Sequence, residues 1–162
     1  MAIQDVLNKP SALADFPVVL YLPIQWSDLD AYGHVNNLVY LKWFEDARAA
    51  YATQVGVEVV PKGKGIGAVL SDIECTYSRQ LKYPGYIYAG VSVREVTMNC
   101  VKLGFRIVCS STGVPVAEGG CTAVQYDHVA DKPVAVPEEV LIAIEQLEGC
   151  YFRNRSSNSE GP

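Results

Sequence analysis

Apolar and polar residues alternate with a period of two through most of the second half of the chain. Over residues 69–79, Val69, Ile73, Cys75 and Tyr77 share one face, with Asp72, Glu74, Thr76 and Ser78 on the other. Ile87, Ala89, Val91 and Val93 share a face over 87–93, and Val101, Leu103, Phe105, Ile107 and Cys109 over 101–109. Ala117, Gly119, Cys121 and Ala123 make a face of small side chains over 117–123. Period two is the mark of half-buried strands. Met98-Asn99 and Thr112-Gly113 fall between these runs, where hairpin turns belong. An earlier β-prone run, 16–26, is interrupted by Pro17 and Pro23, which suit a sheet edge or strand ends.

Residues 38–54 break the alternation and read as a helix. Asn36 or Asn37 can cap it and Gly56 can end it. Leu38, Val39, Leu41, Trp43, Phe44, Ala47, Ala50, Tyr51 and Ala52 cover most of its circumference, which predicts burial on nearly all sides. Pro137 opens a second, shorter helix over 138–147. Short, closely spaced strands favour an antiparallel sheet, and the small-residue face would let the long helix approach it closely. The expected class is α+β: one curved antiparallel β-sheet and one long helix packed on it.

The chain of 162 residues is the size of one domain, and 49% hydrophobic against 19% charged residues is a globular composition. The expected layout is an extension over 1–15, a folded domain over 16–150 and a polar tail over 151–162. The net charge of -5 argues against a general nucleic-acid binder, although a few local Arg or Lys residues suffice for a small polyanion. No basic start leads into a long apolar run, and no stretch approaches the roughly 20 apolar residues of a membrane helix. Cys75, Cys100, Cys109, Cys121 and Cys150 are odd in number and not at metal-ligand spacing, so reduced thiols in a cytoplasmic protein are expected.

The densest chemistry lies at 28–40, DLDAYGHVNNLVY: two carboxylates, one of the two histidines, a glycine and two asparagines, between a strand and an apolar helix. Loops on a rigid scaffold are where catalytic groups sit. The same residues serve equally well as helix-start capping and turn chemistry.

The run DLDAYGHVNNLVYLKWFEDAR resembles the signature of hotdog-fold acyl-CoA thioesterases of the 4-hydroxybenzoyl-CoA thioesterase type. The likeness is carried by Asp28, Asp30, Gly33, His34, Val35, Asn36, Asn37 and Tyr40, then by Phe44, Glu45, Ala47 and Arg48. It extends more loosely over residues 16–147, through Tyr83-Pro84, Lys132, Pro133 and Pro137. The resemblance implies a hotdog fold, with the central helix wrapped by the sheet, and hydrolysis of an acyl-CoA thioester. It puts the catalytic carboxylate at Asp30, with His34 and Asn37 assisting. Gly33, Val35, Asn36 and Tyr40, with Arg79 and Lys82, become the substrate contacts. Coenzyme A enters as part of the substrate, and neither a cofactor nor a metal is expected. The partners implied are a small-molecule acyl-CoA and a second copy of the chain, in a homodimer or homotetramer with active sites at the subunit interface. Nucleic acid and membrane are not expected partners.

Helix N-terminal amides around Asn36 and Asn37 would hold the thioester oxygen as it gains charge. The carboxylate either activates water or attacks the carbonyl, and the sequence leaves both routes open. Two departures stand out: Asn37 replaces a histidine found in some relatives, and Gly85, Tyr86 and Ile87 follow Pro84 where many relatives have an Asp. Asp28 reads as a loop-bonding residue, Glu45 as an intrahelical partner of Arg48 or Lys42, and Tyr32, Tyr40, Trp43, Phe44 and Tyr77 as pocket walls or core. Residues 61–67, PKGKGIG, carry lysines and glycines that could meet phosphates, but a surface loop is the simpler reading. An acyl-carrier-protein thioesterase and a non-catalytic acyl-thioester binder are the alternatives, with a dehydratase behind them.

Overall fold

The computed structural model describes residues 9–57 and 65–152. Within them, six strands and two α-helices follow in the order β1 (Val18–Ile24), α1 (Asn37–Gln54), β2 (Ile66–Tyr77), β3 (Gly85–Val96), β4 (Cys100–Cys109), β5 (Pro115–Asp127), β6 (Lys132–Pro133) and α2 (Glu138–Glu148). The sheet order is β1-β3-β4-β5-β2, with β6 on β5. β1 lies antiparallel on β3, from Val18 opposite Val91 to Ile24 opposite Gly85. This is the α+β class with an antiparallel sheet and one 18-residue helix.

The chain forms two compact units. One holds the described residues up to Tyr51 with Glu74–Ser92 and Gly104–Gly120; the other holds the remainder. In the first unit α1 buries Tyr40, Trp43, Phe44, Ala47 and Tyr51. Phe44 stacks on Phe105 of β4 with ring centroids 3.9 Å apart, a pair worth about 1 kcal/mol beyond its area. The helix is not buried all round as its composition predicts. Leu38 is 65% exposed and Lys42, Glu45 and Ala49 face out, because the sheet covers one side only.

Three further expectations are corrected. The strands run longer than the alternation suggests: β3 and β5 continue past the apolar runs and bury Val96, Val116 and Gln125 in the added residues. On the small-residue face, the space a Cβ would take at Gly119 is filled first by the Glu74 carbonyl oxygen and then by the Phe105 ring, on which Phe44 of the helix stacks. The apolar face of β2 is not half-buried; Val69, Ile73 and Tyr77 are exposed, because β2 is an edge strand with a neighbour on one side only.

The ends of the chain also take more part than their composition suggests. Leu13 and Phe16 are buried with Val19 and Val108 in a small cluster. Gly90 is required beneath it, since a Cβ there would lie 2.6 Å from Leu13 Cδ2. In the second unit Phe152, assigned to the tail by the sequence, is buried and its amide donates to Glu145 Oε1 at 3.1 Å. Pro61, Lys62, Gly63 and Lys64 of the lysine-glycine segment lie outside the described residues; Ile66 and Gly67 open β2.

Candidate active site

The segment between β1 and α1 folds on its own polar side chains. A short 3-10 turn, Trp26–Asp28, begins it, with Asp28 Oδ2 accepting from the Gln25 amide at 2.7 Å. Leu29 and Val35 then bridge, closing a miniature hairpin. Gly33 turns it at φ 74°, the left-handed region where glycine carries no Cβ penalty. Asp30 is the hub. Its amide donates to the His34 carbonyl at 2.8 Å, and its carbonyl accepts from the Gly33 amide at 3.1 Å. Its Oδ1 accepts from the amides of Tyr32 at 2.8 Å and His34 at 3.1 Å. Oδ2 has no partner among the described residues.

The start of α1 is similarly committed. The Asn36 amide donates to the Asp28 carbonyl at 2.9 Å, and Asn36 Oδ1 caps the Leu38 amide at 3.0 Å. Among the described residues the amide of Asn37 has no acceptor, whereas that of Asn36 is taken.

A strap running on from β2 closes the other side. Ser78 and Arg79 amides both donate to the Val116 carbonyl, at 2.9 and 3.2 Å, and the Leu81 carbonyl accepts from the Val35 amide at 3.0 Å. Tyr77 Oη donates to the Asn37 carbonyl at 3.2 Å, and its ring meets Tyr40 edge-on at 5.2 Å. Burial pushes the Tyr40 phenol up to about 12, against a backbone hydrogen bond at Leu81 that pulls it down. Burial also raises Cys75 and Tyr77 above their ordinary values.

Loop, helix start and strap enclose an open cleft of about 690 Å³ lined by Asp30, His34, Val35, Asn37, Tyr40, Tyr77, Ser78, Arg79 and Gln80, all within the first unit. Six residues singled out from the sequence as site residues therefore meet there: Asp30, His34, Val35, Asn37, Tyr40 and Arg79. Gly33 shapes the turn behind them. Asn36 is used up as a cap, and Lys82 is exposed and does not line the cleft. Ser78 and Gln80 were missed, and no sequence signal marks them: they reach the site only because the strap crosses to Val116. Glu45 pairs with Arg48 and Lys42 with Asp46, on the exposed side of α1. Among the described residues, no group of three or more His, Cys, Asp or Glu is placed to hold a metal ion.

The cleft offers a free carboxylate oxygen, a free helix-start amide, an imidazole and a guanidinium. A carboxylate facing a positive helix end suits attack on a polarised carbonyl.

A family model described as the thioesterase-like superfamily matches residues 24–144. Among solved structures, a thioesterase from Thermus thermophilus, complexed with coenzyme A and zinc, is 26% identical with a TM-score of 0.75 over 84% of this chain and 97% of that one. The PA2801 protein of Pseudomonas aeruginosa is 25% identical with a TM-score of 0.71, covering 78% of this chain and 96% of its own. A thioesterase-superfamily structure from a Jannaschia species shares the fold at 21% identity and a TM-score of 0.77, over 85% and 86% of the two chains. No curated protein matches the chain.

Proposed function

The chain belongs to the thioesterase-like superfamily and is a thioester hydrolase; from that premise we propose that it cleaves acyl-CoA thioesters, with Asp30 as the catalytic carboxylate. The observation that carries this reading is the division of labour within Asp30. Oδ1 is spent on two backbone amides, which fixes the carboxylate, while Oδ2 stays unengaged at the cleft. A capping aspartate needs only the first oxygen. The coenzyme A in the Thermus relative favours a CoA ester over a carrier-protein ester.

In the proposed reaction the thioester oxygen accepts from the Asn37 amide at the positive end of α1, and gains negative charge as the carbonyl is attacked. Asp30 Oδ2 either takes a proton from the attacking water or attacks itself, forming a mixed anhydride that water then opens. Both routes expel coenzyme A as its thiolate, which takes up a proton, and release the free acid. His34 and the Asn37 side chain lie at the same cleft to bond the water or the acyl oxygen. Arg79 supplies positive charge for the nucleotide phosphates.

The working unit in this reading is a homodimer joined through β2, with the active site at the interface. Eleven of the twelve β2 residues are exposed or half-exposed in the single chain, Ile66, Leu70, Ile73 and Tyr77 among them. The cytoplasm suits its five free thiols.

Thiol release followed with a chromogenic reagent, over short, long and aromatic acyl-CoAs, tests the reading. Turnover of one class at ordinary enzymatic rates is expected. No turnover of any CoA ester by correctly assembled protein, with turnover of a carrier-protein ester instead, would reassign the substrate.

A further inference from the structure

The structure gives Tyr77 a place that neither its strand nor its ring explains. It closes β2, where side chains are exposed. Yet Tyr77 Oη donates to the backbone carbonyl of Asn37, the first residue of α1, at 3.2 Å. On the other side of that same peptide group, the Leu38 N–H is held by Asn36 Oδ1 at 3.0 Å. The peptide joining residues 37 and 38 is therefore pinned at both ends by side chains, one from the loop and one from β2. Helix first turns otherwise fray, because their amides have no intrahelical acceptor. The pinned peptide adjoins the amide of Asn37, which has no acceptor among the described residues, and so constrains the backbone of the residue carrying it. The Tyr77 ring is braced in turn against Tyr40, edge-on at 5.2 Å, and Tyr40 is itself buried.

We infer that Tyr77 is a positioning residue: its hydroxyl holds Asn37 so that the Asn37 amide is aimed into the cleft for the thioester oxygen. The inference rests on the acyl-CoA reading for its chemistry, while the geometry it asserts is independent of substrate. Tyr77 need not touch the reacting atoms. Its effect passes through Asn37, whose donor works only if it meets the oxygen of the transition state within a few tenths of an ångström. The strap residues beyond Tyr77 share the arrangement, so the strand that walls the cleft also sets the aim of the opposing helix.

Tyr77→Phe deletes the hydroxyl and keeps the ring on Tyr40, so the fold is retained. Two readouts are taken on the full chain in its native assembly. Steady-state kinetics on the preferred acyl-CoA is expected to show kcat reduced about tenfold with KM within about twofold of wild type, the pattern of a lost transition-state interaction. The amide resonance of Asn37 in a nitrogen-15 spectrum is expected to shift and broaden, while amides of α2 stay in place. Unchanged kcat overturns the inference, whatever the spectrum shows. So does a raised KM at unchanged kcat, which would make Tyr77 a plain substrate contact. If wild type turns over no thioester, the acyl-CoA reading has failed on its own, and the spectrum still decides: an unmoved Asn37 amide overturns the positioning role and a displaced one supports it.

Discussion

Asp30 grips His34 by both backbone groups: its amide donates to the His34 carbonyl at 2.8 Å, and its Oδ1 accepts from the His34 amide at 3.1 Å. One side chain thus builds the loop and, in the proposed reaction, presents the reactive oxygen. The two duties separate by mutation. Asn at this position keeps an oxygen that accepts from Tyr32 and His34, so Asp30→Asn leaves the melting temperature near wild type and lowers kcat/KM a hundredfold or more. Asp30→Ala loses both activity and the turn, with a further cost of about 1–2 kcal/mol. Thiol release and thermal melts on the two variants check this. Equal melting of both, or an active Asp30→Asn, would defeat the assignment.

Much of this site was legible in the sequence because it is local. Asp30, Gly33, His34, Asn36 and Asn37 lie within eight residues, and short-range turn and capping rules govern how such a stretch folds. The strands were legible for a similar reason: pleating imposes period two on the residues themselves. What stayed hidden is what depends on distant partners. Tyr77 could be named as aromatic, but its bond to Asn37 spans 40 positions of sequence, and Ser78 and Gln80 enter through a strap anchored on Val116. Nor does composition reveal that α1 is covered on one side only, or that β2 is an edge. Both follow from the strand order, which the alternation does not encode.

Tyr40 makes stability fall at alkaline pH. Its phenol ionises at about 12 in the folded chain because burial disfavours the charged form, against 10.0 ordinarily. Between these values the unfolded chain has released the proton and the folded chain has kept it. Deprotonation therefore favours unfolding, and the stability is intact below about pH 10 and lost as pH rises toward about 12. Tyr40→Phe removes this contribution. Urea midpoints at about pH 9, 10 and 11 are expected to fall less steeply in the variant than in wild type, and parallel declines would show that Tyr40 is not the group responsible.

Gly119 has no room for a side chain. A Cβ there would lie 2.0 Å from the Glu74 carbonyl oxygen and 2.8 Å from the Phe105 ring. The ring can shift, but the backbone carbonyl belongs to β2 and cannot move without parting the strands. Gly119→Ala is therefore expected near the upper end of overpacking costs, about 3 kcal/mol, or a drop of roughly 6–12 °C in melting temperature for a chain of this size. Adding Phe105→Leu does not rescue it, because the carbonyl is the closer obstacle. Rescue by the smaller residue in a thermal melt would place the conflict with the ring instead.

The two edges of the sheet differ, and the difference favours β2 as the edge of the proposed dimer. β1 carries Pro23, which lacks the N–H an added strand would need, and its Tyr21 stacks back on Tyr86. β2 is longer, contains no proline, and exposes Leu70 at 39% and Ile73 at 43% on its two opposite faces. Its free edge, with apolar Leu70 and Ile73 beside the carboxylates of Asp72 and Glu74, has unpaired backbone groups that a second strand can join. Wild type is therefore expected to elute as a dimer, twice the 17.7 kDa of one chain. Leu70→Lys with Ile73→Lys sets like charges against each other across the twofold axis and leaves a monomer. Because both side chains are already solvated in the single chain, its circular dichroism stays native. Its kcat/KM falls with dissociation, since the interface strand runs directly into Tyr77 and the strap that walls the cleft. Light scattering and thiol release on the same samples separate the possibilities: an active wild-type monomer refutes the β2 dimer, and a charged dimer moves the interface elsewhere.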